Sequence, residues 1–198
     1  MTTIYLVRHG EYENPEYLFP GRLLTGFPLT EKGREQVENL SGYFKDKVVV
    51  ALYSSPVLRT RQTAEILSSK LKIPIQVDDR LLEVKTTLEG ESMQMFDDAE
   101  GGVSYQPDLH ERGAESVEEV SGRLSGFIEE KRKEHKGKTI LAVTHGDPMR
   151  YAVMKYKDIP IDFRLHSAVL SPLAGGYQIQ FDDMTGEATV ASIAVPPR

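Results

Sequence analysis

The chain opens with Ile4-Tyr5-Leu6-Val7-Arg8-His9-Gly10-Glu11. Consecutive apolar residues closed by polar ones read as a short strand buried on both faces. Arg8 and His9 stand at the carboxyl end of that strand, and Gly10 lets the backbone turn sharply and approach a ligand closely. In open α/β sheets, ligands bind outside the carboxyl ends of strands. The turn therefore carries an imidazole and a guanidinium to the place where a site is expected. Arg-His-Gly alone is a weak signal, and its weight comes from partners further along the chain.

A second turn of the same design lies far downstream. Thr139 to Thr144 is another continuous apolar run, followed by His145-Gly146-Asp147-Pro148 and a helix expected over Pro148–Tyr156. Between the two, Val48 to Tyr53 reads as a buried strand ending in Ser54-Ser55-Pro56, with a helix expected over Val57–Leu71. Proline is common at the first helical position, the free N–H groups there favour an anion, and Arg59 adds a permanent charge. Thr30 is a good N-cap for a helix from Glu31 to Phe44 that presents Val37, Leu40, Tyr43 and Phe44 on one face, while Gly33 points to close packing. Ile73 to Val77 reads as a third strand, and Glu83 follows the apolar pair Leu81-Leu82. Ser116 and Glu119 form a capping box at the head of a helix running to about His135. Closing strands are expected at Ala168–Leu170, Tyr177–Phe181 and Thr189–Ile193. This alternation predicts an α/β three-layer sandwich, a mostly parallel central sheet flanked by helices.

With 198 residues and no repeat or dividing linker, the chain is expected to form a single domain, 1–198. A net charge of −6 argues against a general nucleic-acid or membrane-surface binder. The lack of cysteine removes disulfides, thiolate zinc sites and a thiol nucleophile. No apolar run approaches the ~20 residues of a membrane span, and the N-terminus lacks signal-peptide character, so a cytoplasmic protein is expected. Residues 11–28 form an apolar, aromatic, proline-interrupted loop that either serves the site or caps the core. Residues 84–115 read as a flap over the site, partly helical around Ser92–Asp98. It is acidic: Glu89, Glu91, Asp97, Asp98, Glu100, Asp108 and Glu111 face only Lys85 and Arg112.

Arg8, His9, Arg59 and His145 all fall at or just beyond strand carboxyl ends and can converge in one cleft. Two histidines with Glu83 could suggest a metal. The arginines argue otherwise, because permanent cations repel a divalent cation but suit a dianionic phosphoryl group bound through bidentate hydrogen bonds. Neutral, oriented imidazole can attack phosphorus, which makes a histidine nucleophile the natural reading. Glu83 could protonate the departing alcohol if desolvation raised its pKa.

The motifs resemble those of the histidine phosphatase superfamily, the phosphoglycerate mutase-like proteins. The resemblance runs through Leu6–Glu11, Pro28–Gln36, Ser54–Ala64, Leu82-Glu83 and Val143–Gly146, in the family's order and over about three quarters of the chain. It implies that His9 is transiently phosphorylated, that Arg8, Arg59 and His145 bind the phosphoryl group, and that Glu83 is proton donor and then base, with no metal or other cofactor. The family often has an asparagine six residues beyond the nucleophile. Pro15 stands there, leaving the adjacent Asn14 as the candidate phosphate ligand. Tyr12 replaces a usual Thr or Ser, and Gly26 a common acidic residue.

The expected activity is a phosphomonoesterase acting on a small phosphomonoester with an apolar or neutral alcohol part. Glycolytic mutases of the family carry a longer, basic insertion after the position of Glu83, whereas an acidic flap repels a polyanion within ~8–10 Å. A cofactor-dependent phosphoglycerate mutase and a non-catalytic phospho-ligand binding or regulatory module are the alternatives. The expected partner is the small phosphomonoester, with neither nucleic acid nor membrane, and a homodimer is left open. His110, His135 and His166 are read as structural or surface residues, and Asp147 and Arg150 either orient His145 or ligand, or are an ordinary helix-terminal acid and surface base.

Overall fold

The computed structural model describes residues 1–23, 25–94 and 107–193. Its strands are β1 (Thr2–Arg8), β2 (Val49–Ser54), β3 (Ile75–Val77), β4 (Thr139–Thr144), β5 (Gly176–Phe181) and β6 (Ala188–Ile193). Its helices are α1 (Glu31–Tyr43), α2 (Leu58–Leu71), α3 (Pro107–Glu111), α4 (Val117–Glu134) and α5 (Gly146–Tyr156). One sheet runs in the order β3-β2-β4-β1-β5-β6. The first four of these strands are parallel, and β5 and β6 continue the sheet antiparallel. Three-layer α/β architecture is thus what the strand and helix alternation predicted.

The continuous apolar runs have a simple cause. Alternate residues of a strand point to opposite faces, and both faces of this sheet are covered. Ile4 and Leu6 of β1, with Ile140 and Ala142 of β4, enter one core together with Leu124 and Phe127 of α4 and Met149 of α5. Tyr5 and Val7, with Leu141 and Val143, enter the other, against Val37 and Leu40 of α1 and Leu67 of α2. The irregularity between Val49 and Ala51 in the β2–β4 pairing leaves Val50 exposed, within an otherwise buried strand.

Several boundaries differ from those expected. Leu58, not Val57, begins α2, and Pro56 precedes the cap, because Ser55 is still tied to the sheet through its N–H to the Val143 carbonyl (3.1 Å). Helix α5 begins at Gly146 with His145 as its N-cap, so Pro148 sits inside the first turn, where an N–H is not needed. The strand expected at Ala168–Leu170 is absent. A 3-10 turn spans Phe163–Ala168, and the carbonyls beyond it serve side chains: Val169 accepts from Arg150 Nε, Leu170 from Tyr177 Oη, and Ser171 from Arg8 Nη1. The third strand begins at Ile75 rather than Ile73. Helix α3, lacking a clear sequence period, was not anticipated, and most of the helix expected around Ser92–Asp98 falls outside the described residues, as does Leu24.

The turn after β1 is wedged against α1. A Cβ on Gly10 would come within 2.5 Å of the Gly33 carbonyl oxygen, and one on Gly33 within 1.9 Å of that of Glu11. Glu11 accepts from Thr30 Oγ1 (3.0 Å) and Lys32 Nζ (2.6 Å), and its N–H donates to Gln36 Oε1 (2.9 Å). Leu29 N–H donates to Gln62 Oε1 (2.7 Å), joining the same loop to α2. These contacts hold the turn in which His9 stands. Alanine is the better helix former by about 1 kcal/mol. Gly33→Ala is nevertheless expected to destabilise the protein by roughly 1–3 kcal/mol through overpacking, read as a lower urea midpoint. An unchanged or higher midpoint would show that the turn yields easily.

Candidate active site

Parallel pairing of β1 with β4, in the register Arg8↔Thr144, places the residues that follow the two strands side by side. The His9 and His145 rings are consequently 5.4 Å apart between centroids. Both are buried, as is Arg59 from the first turn of α2. His9 and Arg59 border a cavity of about 140 Å³, also lined by Arg8, Glu83, Tyr12, Phe19, Met93, Asp147, Arg150 and Ser171. The structure therefore brings Arg8, His9, Arg59 and Glu83 to one cavity, with His145 hydrogen-bonded to Arg59 behind them.

Hydrogen bonds assign the imidazole tautomers. His9 Nε2 accepts from Arg59 Nε (3.3 Å), which leaves Nδ1 to donate to the Gly10 carbonyl (2.8 Å). Nε2 therefore carries the lone pair. Burial, followed by the charges of Arg59 and Arg8, drives the His9 pKa well below the ordinary imidazole value. His145 Nδ1 accepts from Arg59 Nη2 (3.1 Å), and its Nε2 is left to donate to Ser55 Oγ (2.9 Å). Burial, then Arg59, then His9 and Arg8 hold its pKa well down too. Both rings are held as neutral imidazoles.

The arginines are held at some of their atoms and unpaired at others. Arg59 Nη2 also donates to the Gly21 carbonyl (2.9 Å), and Arg8 Nη1 to that of Ser171 (2.6 Å). Arg59 Nη1 and Arg8 Nε are buried with no hydrogen-bond partner. Leaving a buried donor unsatisfied costs about 1–3 kcal/mol, and more when it is charged. A ligand presenting several anionic oxygens would satisfy both at once and neutralise two desolvated cations. The first turn of α5 adds N–H groups beside Gly146, which lines the cavity.

Glu83 is buried against this cationic side. Its Oε1 accepts from Val84 N–H (2.9 Å), and its Oε2 lies 3.9 Å from His145 Nδ1. Burial, reinforced by the charge of Asp147, raises its pKa against the opposing pull of Arg59 and Arg8. The charged form is thus disfavoured relative to that of an ordinary exposed carboxylate.

Asn14 is the exception among the residues picked out in the sequence. Its amide donates to the Leu18 carbonyl (2.7 Å) and accepts from Leu18 N–H (2.9 Å). It lines a separate surface groove with Pro15 and Phe27, so the phosphate-ligand expectation for Asn14 is corrected. The reason is local: an asparagine side chain readily closes an Asx-type turn on its own backbone. Tyr12 stands near His9 instead, edge-on to its ring (5.3 Å) and with Arg59 5.3 Å from its ring centroid. Loop 11–28 is thus divided between both readings. Tyr12 and Phe19 line the cavity, while Tyr17 and Leu23 are exposed. Ser55 lies within the Ser54–Ala64 motif and Ser171 outside every motif, and no spacing rule marks either as a site residue. The Asp147–Arg150 ion pair (2.5 Å), with Arg150 also donating to Ser171 Oγ (3.0 Å), forms the polar wall opposite Phe19 and Met93. His110 and His135 lie away from the cavity, bonded to the Ala114 carbonyl and to Tyr53 Oη (each 2.9 Å).

Among the described residues, no group of three or more His, Cys, Asp or Glu side chains is arranged to hold a metal ion, and no helix is long and apolar enough to cross a membrane. The sequence matches the histidine phosphatase superfamily (branch 1) over residues 4–192. Phosphoserine phosphatase 1 of Hydrogenobacter thermophilus is 32% identical over 157 residues, covering 76% of this chain and 74% of that protein. A probable phosphoglycerate mutase, GpmB of Escherichia coli, is 32% identical over 153 residues, 74% of this chain and 70% of its own length. The solved structure of Bacillus stearothermophilus YhfR superposes with a TM-score of 0.82 at 30% identity, covering 97% of this chain and 96% of that one. With the motif-bearing turns meeting at one cavity and the match extending along nearly its whole length, the chain belongs to the histidine phosphatase superfamily.

Proposed function

We propose that the protein is a metal-independent phosphomonoesterase that works through a phosphohistidine on His9. The observation that carries this reading is the pair of buried, unpartnered guanidinium N–H groups, on Arg8 and Arg59, beside a neutral imidazole whose unprotonated Nε2 is held only by a long hydrogen bond from Arg59 Nε (3.3 Å). A phosphoryl dianion entering the cavity is bound by these donors, while His145, whose Nδ1 accepts from Arg59 Nη2, holds that guanidinium from behind. Such preorganised charge is the main source of catalysis in phosphoryl transfer.

In the first step His9 Nε2 bonds to phosphorus while the ester P–O bond breaks. The electron pair leaves on the alcohol oxygen, and Glu83 supplies its proton. In the second, Glu83 as carboxylate takes a proton from water, whose oxygen bonds to phosphorus as the P–N bond breaks. Inorganic phosphate leaves and His9 and Glu83 return to their starting states. The relative named phosphoserine phosphatase 1 supports hydrolysis, while the one named a probable phosphoglycerate mutase keeps transfer to a second hydroxyl as the competing reading.

The substrate is a small monoester. A cavity of about 140 Å³ falls well short of the ~300–1,000 Å³ of drug-sized sites. Tyr12, Phe19 and Met93 give it an apolar wall suited to an apolar or neutral alcohol part. The chain acts as one domain, with 84–115 as a flap over the site. Met93 reaches the cavity and Glu91 pairs with the 11–28 loop through its carbonyl to Phe19 N–H (2.7 Å). The flap acids Met95 precedes, Asp97, Asp98 and Glu100, lie with Met95 and Phe96 outside the described residues.

Hydrolysis of p-nitrophenyl phosphate is expected to survive EDTA and to vanish in His9→Ala. Activity lost with EDTA, or retained without His9, would overturn the mechanism. Interconversion of 2- and 3-phosphoglycerate faster than phosphate release would select the mutase reading, and phosphate binding without turnover the binding module. The pH profile of kcat/KM on an alkyl phosphomonoester gives a second test. Protonation of His9 sets an acid limb displaced below the ordinary histidine range, since its pKa is lowered. Deprotonation of Glu83 sets an alkaline limb displaced above the ordinary carboxyl range, since its pKa is raised. Glu83→Gln should lower the rate by roughly 10²–10⁴-fold and remove the alkaline limb. An unchanged limb would assign the proton to another group.

A further inference from the structure

Two arginines outside the cavity's phosphoryl side converge on the backbone of Glu83. Arg123, on α4, donates through Nη2 to the Glu83 carbonyl (2.9 Å) and to Glu115 Oε2 (3.1 Å). Its Nη1 donates to the carbonyls of Arg80 (2.8 Å) and Leu82 (2.7 Å), and its Nε to Glu115 Oε1 (2.9 Å). All five guanidinium N–H groups are thereby used. Arg22, from the 11–28 loop, donates through Nε to the same Glu83 carbonyl (2.6 Å) and through Nη2 to Glu115 Oε2. Glu115 also accepts from Lys85 N–H (2.9 Å). The three side chains are largely buried, at 22%, 16% and 16% exposure for Arg22, Glu115 and Arg123.

Segment 82–84 belongs to no helix or strand, so nothing in the sheet's own ladder places Glu83. Core packing of Leu81 and Val84 anchors its flanks, and the two arginines are what bind the Glu83 carbonyl itself. We infer that Arg123 and Arg22, bridged by Glu115, are positioning residues that clamp the Glu83 carbonyl and so hold its carboxyl group at the leaving-group side of the cavity. The inference rests on the reading of Glu83 as proton donor. A general acid must come within hydrogen-bond reach of the departing oxygen, and a displacement of about 1 Å can cost ~10²-fold. A lysine cannot replace Arg123, because one point charge does not span three carbonyls and a carboxylate.

The test compares kcat/KM, which reports the first chemical step, for two substrates. p-Nitrophenyl phosphate releases a stable anion and needs little help from an acid, whereas an alkyl phosphomonoester needs that proton. Arg123→Met and Arg22→Gln are expected to lower the alkyl value by roughly 10–100-fold and the aryl value by less than about threefold. Arg123→Lys should recover little. Glu83→Gln is the reference and should show the same substrate selectivity. If Glu83→Gln is unselective, the proton-donor reading fails. If it is selective while both arginine variants lose both substrates equally, or lose neither, the positioning role is overturned and the clamp is only structural. Should Arg123→Met fail to fold, judged by its thermal transition, Arg22→Gln decides by itself, since it removes one of the two arginines on the Glu83 carbonyl and leaves the Arg123 fork in place.

Discussion

The pairing of β1 with β4 is the constraint on which the rest of the site depends. Two strands distant in sequence lie parallel and adjacent, so the turns that follow them emerge at the same end of the sheet. Each turn carries one histidine. Hydrophobic burial on both faces holds the register, because a slip by one residue would exchange the two cores of β1 and present Tyr5 and Val7 to helices shaped for Ile4 and Leu6. Precision at the site is thus derived from packing several residues away.

Around that geometry the electrostatics oppose folding. Two guanidinium groups and two imidazoles are withdrawn from water, and the histidines respond by remaining neutral. The arginines cannot discharge. Their positions are held by backbone carbonyls of Gly21 and Ser171 in irregular segments, where oxygen atoms are free to turn inward. Both residues that keep an unsatisfied donor line the cavity. The same desolvation acts on Glu83 in the opposite sense, raising its pKa, so burial disfavours the charged form of imidazole and carboxyl alike.

The family motifs away from the cavity have structural work. Glu11, Thr30, Gly33 and Gln36 bind one another and fix the turn of His9; Gln62 ties the following loop to α2. A motif spread over Pro28–Gln36 therefore reflects contact between a turn and a helix N-terminus, and its glycine is required because backbone approaches backbone there. Arg22, Glu115 and Arg123 went unread because each stands in an unremarkable setting: a proline-rich loop, the end of an acidic stretch, and the flank of an amphipathic helix. Arg123 lies next to Leu124 of the buried face, a weak hint that it points inward.

The sequence by itself determined the layered α/β class, the four parallel strands, the caps at Thr30 and Ser116 and the choice of Arg8, His9, Arg59 and Glu83, which line one cavity. Those follow from local periodicity, from stop signals and from residue chemistry. Only the tertiary structure decided that Asn14 turns back on Leu18, that Tyr12 stands beside His9, that Ala168–Leu170 is not a strand, and that α5 begins at the histidine itself. It also decided which arginine atoms are left without partners and which arginines clamp Glu83. These outcomes depend on where carbonyl oxygens from unrelated segments meet, and such meetings have no period along the chain.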